Sequence, residues 1–153
     1  EAPRPKKESF FAHGMAATII LEGIMIGGIT LTAYIIGHYF GDVIQAGVDN
    51  NVLAQTMAFV TLSSAQLFHS FNVKTDHTLF TKKLFNNKFL WGAFALGFIL
   101  QLCIIYIPGL NTLFKVTPLH IVPLLICVAL AMSTILIIEI AKLIKLLIKK
   151  MKK

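Results

Sequence analysis

Almost every charge in this chain stands at the ends of four apolar stretches, and that pattern limits what it can fold into more than any other feature. The stretches run from Phe10 to Phe40, Leu53 to Phe71, Phe89 to Ile107 and Ile121 to Leu147, and each reaches the roughly 17–25 residues that a helix needs to cross a bilayer. Inside hydrocarbon a backbone satisfies its N–H and C=O groups only within helices or a closed barrel. The lengths fit helices, so the expected fold is all-α: a single membrane domain over residues 1–153, built as an integral bundle of four transmembrane helices. Only 14% of the residues are charged, against roughly 25% in an ordinary soluble domain. The first and last stretches are longer than the hydrocarbon is thick, which predicts tilt or protrusion past the headgroups.

Lysine and arginine set the orientation, because positive residues in short connections stay on the cytoplasmic side. Arg4, Lys6 and Lys7 precede the first stretch; Lys74, Lys82, Lys83 and Lys88 lie in the second connection; Lys142, Lys145, Lys149, Lys150, Lys152 and Lys153 end the chain. The remaining one is Lys115, and the first connection carries Asp42 and Asp49 instead. Basic cytoplasmic tails at both termini are the expectation, and an even number of spans requires it. Local punctuation fits: Pro108-Gly109 closes the third stretch beside Tyr106, Phe89 and Trp91 open it, and Pro118 and Pro123 flank the start of the fourth. From Glu139 onward lysines recur among Leu and Ile, an amphipathic extension suited to anionic headgroups. The opening residues lack the layout of a signal peptide, and the chain is expected to be part of something longer. No basic stripe interleaves with aromatics, so nucleic acid is not an expected partner. Cys103 and Cys127 lack metal or redox spacing and read as buried thiols.

The polar residues inside the stretches are the candidates for chemistry. Glu22 lies about 18 Å into the first helix at 1.5 Å per residue, and a carboxyl there is a functional candidate by default. Glu139 is expected near the interface, paired with Lys142 and Lys145. The second stretch is the most polar: Gln55, Thr56, Thr61, Ser63, Ser64, Gln66, His69, Ser70 and Asn72. Helical counting brings Ser63, Gln66 and Ser70 to one face with His69 beside it. Hydroxyl and amide oxygens suit hard cations, although hydrogen bonding between helices explains the same residues. Gly23, Gly27 and Gly28 offer a small-residue face for helix packing, either within this bundle or with a helix outside it, and Gly37 with Gly41 repeats the spacing. His13, His38, His77 and His120 show no metal-ligand spacing. There is no phosphate loop and no Ser-His-Asp set, so the chain by itself should catalyse nothing and needs no cofactor in this segment.

The run Thr56-Met-Ala-Phe-Val-Thr-Leu-Ser-Ser-Ala-Gln-Leu-Phe-His-Ser-Phe-Asn72, then Leu84-Phe-Asn-Asn-Lys-Phe-Leu90, Ile104-Ile-Tyr-Ile-Pro108 and Leu113-Phe-Lys-Val-Thr-Pro-Leu119 resemble the carboxy-terminal membrane domain of calcium-type P-type ATPases. Arg4-Pro-Lys-Lys7 and Ile26-Gly-Gly28 extend the likeness to the amino end. The resemblance implies that the four spans are helices seven to ten of a cation pump, with lipid and the remaining helices of the parent pump as partners. It implies ATP, Mg2+ and Ca2+ for the parent, and the plasma membrane of a bacterium as location. Gln66 falls where the sarcoplasmic-reticulum type has a calcium-ligating glutamate, so it is the one metal-ligand candidate, and its neutral amide weakens a second calcium site. His69 replaces a more usual asparagine. The function expected is a supporting segment for the ion-binding helices with at most this one peripheral ligand. The alternative is a complete small four-helix proton-coupled multidrug transporter with Glu22 as its site; a membrane scaffold binding through the glycine face is a third.

Overall fold

The computed structural model describes the backbone of residues 15–73 and 88–151 and the side chains of residues 19–70, 88–141 and 144. Arg4, Lys6, Lys7, His13, Lys74, His77, Lys82 and Lys83 lie outside the described residues, as do the side chains of Asn72 and of the lysines from Lys142 onward. The described residues are helical and contain no strand: α1 Met15–Ile44, α2 Asn50–Val73, α3 Lys88–Tyr106, a short α4 Leu110–Phe114 and α5 Ile121–Met151.

The helix ends follow from local chemistry. The carboxylate of Asp49 accepts the backbone N–H groups of Asn51 at 2.8 Å and Val52 at 3.2 Å, which caps α2 three residues ahead of the apolar stretch. Gly109, at φ 96°, turns the chain after α3 where a side chain would clash with the backbone. The turn leads into α4, a feature that the apolar pattern did not reveal. Pro123 is buried in the first turn of α5, where its missing N–H leaves nothing unsatisfied.

Among the described residues, Ile19–Ile44, Lys88–Tyr106 and Ile121–Ala141 are long and apolar enough to cross a membrane. The 24-residue α2 is long enough but more polar. Its place in the bundle explains the difference, because α2 is the central helix, packed along both α1 and α5. Leu53, Met57 and Val60 of α2 are fully buried with Ala33 of α1, Ile105 of α3 and Cys127 of α5, and Ile26, Ala65 and Ala131 form a second cluster. Outside, the surface is apolar: Ile20, Leu21 and Ile24 on α1, Leu96 and Ile99 on α3, and Leu125 and Leu136 on α5 are all exposed. A chain that buries threonines and exposes leucines is built for lipid rather than water.

Three hydroxyl groups in the spans satisfy themselves locally: Thr30 donates to Ile26 O at 2.8 Å, Ser133 to Leu130 O at 2.6 Å and Thr134 to Ala131 O at 2.7 Å. Such back-bonding lets a hydroxyl sit in an apolar setting without a partner helix.

Candidate functional site

Antiparallel packing of α1 on α2 sets the site. A Cβ added at Gly37 would meet Ala54 Cα at 2.7 Å, and one at Gly41 would overlap the Asn50 side chain. The two backbones therefore touch at this end. The same number of residues separates Gly37 from Glu22 as separates Ala54 from His69, so one unbroken register runs down the pair. At its other end Glu22 Oε2 lies 3.5 Å from His69 Nε2. The sequence had brought His69 beside Gln66; the structure turns it toward α1 instead.

The polar residues of α2 divide by face. Thr56, Thr61 and Ser64 are buried in the bundle, whereas Gln55, Gln66 and Ser70 are exposed along one outer stripe. Gln66 makes no hydrogen bond among the described residues. Ser63 is half-buried and lines a groove of about 200 Å³ between α2 and α3, together with Phe59, Leu67, Gly97 and Gln101. Ser63, Gln66 and Ser70 thus share a general direction but not one surface.

Two amides that sequence reasoning missed do the internal bonding. Gln101 of α3, 5% exposed, donates from Nε2 to Val60 O at 3.0 Å and to Ser64 Oγ at 3.1 Å. Gln45, 3% exposed, donates to Pro118 O at 2.8 Å and accepts the His120 N–H at 2.8 Å. Thr56 Oγ1 accepts the Thr117 N–H at 3.0 Å, and Tyr106 donates to Leu119 O at 2.7 Å. Together these hold the segment between α4 and α5 against the ends of α1, α2 and α3. Gln101 is a single amide in an apolar run and Gln45 one polar residue of a polar connection, so no periodicity marked either glutamine.

Gly23, Gly27 and Gly28 face open space in this bundle, with no heavy atom within 4 Å of an added Cβ among the described residues, so of the two expected uses of that face the one with a helix outside the bundle stays open; among the described residues the close approaches are at Gly37, Gly41 and Gly97. Glu139 is 8% exposed and stands beside Ile138, at the edge of the α5 face on which Ala131, Thr134 and Ile138 are buried; the side chains of Lys142 and Lys145, its expected partners, lie outside the described residues. Cys103 is only half-buried, while Cys127 is buried and its thiol points at Met57 O, 3.5 Å away. Among the described residues no three His, Cys, Asp or Glu side chains cluster for a metal ion.

The comparisons agree with this arrangement. The family model described as cation transporting ATPase, C-terminus, matches residues 1–144. The chain is 38% identical to calcium-transporting ATPase 1 of Bacillus cereus, over 95% of this chain and 17% of that protein. It is 36% identical to a calcium-transporting ATPase of Bacillus subtilis over 73% of this chain, and 31% identical to one of Listeria monocytogenes over 94%. It spans less than a fifth of the length of these relatives. A bundle of apolar helices with a polar central helix, matched along nearly its whole length, places this chain in the family of carboxy-terminal segments of cation-transporting ATPases.

Proposed function

We propose that the chain is the carboxy-terminal membrane segment of a calcium pump, where it braces the ion-binding helices and offers Gln66 as at most one peripheral ligand. The observation that carries this reading is the outer stripe of α2. An amide facing hydrocarbon costs free energy unless it finds a partner, yet Gln55 and Gln66 are exposed on the helix that is otherwise the most buried. Such a stripe suits a neighbouring protein helix better than lipid. The parent would supply ATP and Mg2+ binding and most of the calcium ligands, with both termini of this segment cytoplasmic and the bacterial plasma membrane as the setting. The relatives are calcium-transporting ATPases, which favours this reading over a small drug transporter using Glu22.

Calcium takes six to eight oxygens, several of them carboxylate. Gln66 brings an oxygen without a charge, so a second divalent ion beside the first would meet uncompensated repulsion in a medium of low dielectric. The reconstituted parent is expected to move one calcium per ATP, and Gln66→Ala to weaken calcium affinity. A native ratio of two, or Gln66→Ala with altered stability and unaltered affinity, removes Gln66 from the ion path. Orientation has its own check: single cysteines beside Asp49 and Lys115 are expected to react with an impermeant reagent from outside the cell, and one beside Lys82 to be protected.

A further inference from the structure

The Glu22 and His69 side chains are 28% and 16% exposed and lie 3.5 Å apart, in the half of the α1–α2 pair away from the glycine contact. His69 Nδ1 is buried and has no hydrogen-bond partner among the described residues. The next turn of the interface is apolar, formed by Met25, Ile26, Ala65 and Phe68. The other described ionisable side chains at this end of the bundle are Glu139 of α5, which is buried, and Lys88 at the start of α3, which is exposed.

Charge bookkeeping on the pair gives it two states. Neutral imidazole beside a carboxylate leaves one negative charge inside the membrane, which is costly. Taking up one proton from solvent makes the pair neutral, either as imidazolium with carboxylate or as carboxylic acid donating to Nε2 of a neutral imidazole. In both neutral forms Nδ1 carries a hydrogen, and that hydrogen is then a buried donor without an acceptor. Each state leaves one electrostatic demand unmet, so neither is a fixed structural ion pair. We propose that Glu22 and His69 together form a binding site for a single proton between α1 and α2, and that its occupancy sets how closely this end of the helix pair packs. The far end stays shut because Gly37 and Gly41 hold backbone against backbone there, about 22 Å away at 1.5 Å per residue. The site does not depend on Gln66 binding an ion.

The test uses the full-length parent pump in lipid vesicles, with Cys103 and Cys127 replaced by alanine and spin labels at the exposed positions Ile20 and Ser70. The expected result is a distance distribution that shifts with pH as a single-proton event. The shift is expected to vanish in both Glu22→Gln and His69→Gln, which keep hydrogen-bonding capacity but cannot exchange the proton. The swap of Glu22→His with His69→Glu is expected to restore it. Labels at Val43 and Val52, beside the glycine contact, should show no shift in any of these proteins, which also verifies that the helix pair has formed. A native distribution that does not move with pH, a shift that survives in either glutamine variant, or a swap that fails to restore it overturns the proposal.

Discussion

Gly37→Leu is expected to keep α1 and α2 from closing, at a cost of about 3 kcal/mol or more, the upper range for forcing extra volume into a packed interior. The reason is what the new side chain would meet. Ala54 Cα lies 2.7 Å and Ala54 N 3.0 Å from the position of the new Cβ, with Met57 Sδ at 3.1 Å. Met57 could swing aside, but a helix backbone cannot, so α1 as a whole must retreat. Retreat at Gly37 also separates Ala33 from the cluster of Leu53, Met57 and Val60, which spreads the loss along the pair. Gly27→Leu makes the informative contrast, since nothing lies within 4 Å of its added Cβ. In mild detergent the isolated chain should melt well below the native temperature with Gly37→Leu and at the native temperature with Gly27→Leu. Equal melting of the two variants would mean that the glycine contact does not hold the helices together.

That contrast also marks how far the sequence could be read. Both glycine pairs have the same spacing on the same helix, and spacing shows that a close approach is available without showing which stretch of the helix meets a partner. That is decided by α2, whose small Ala54 comes opposite Gly37, while Gly23 and Gly27 lie along exposed Ile20 and Ile24. The apolar spans were legible because burying and solvating a backbone in lipid needs a fixed length. The polarity of α2 was legible too, but its cause was divided: Thr56, Thr61 and Ser64 face the bundle, and Gln55, Gln66 and Ser70 face away. Only placement distinguishes a hydroxyl bonded within the bundle from an amide on its surface.

Gln45→Leu is expected to release the segment between α4 and α5 and to destabilise the folded bundle by about 1–3 kcal/mol, taking about 0.5–1.5 kcal/mol for each of the two part-buried hydrogen bonds lost. Gln45 directly follows the last residue of α1, and its amide is used on both sides, donating to Pro118 O and accepting from the His120 N–H, each at 2.8 Å. Leucine fills a similar volume but offers neither bond. Pro118 has no N–H of its own to rearrange, and the His120 N–H precedes the first turn of α5, where no intrahelical acceptor exists. Nearby bonds limit the damage, because Thr117 N–H still reaches Thr56 Oγ1 at 3.0 Å and Leu119 O still accepts from Tyr106 at 2.7 Å. Thr56→Val removes the first of these, since valine matches threonine in shape and lacks the hydroxyl. These groups share one short segment and each holds it when the other is lost, so Gln45→Leu with Thr56→Val should lose more than the two single variants together; effects within one network are not additive. Hydrogen exchange at the amides of Thr117 and His120 reports the release directly: both should exchange faster in Gln45→Leu, and fastest in the double variant, while the amides of α2 around Val60 keep their native rates. Protection at His120 that does not change in Gln45→Leu would show that the segment is held by packing of Leu119 in the core rather than by the glutamine.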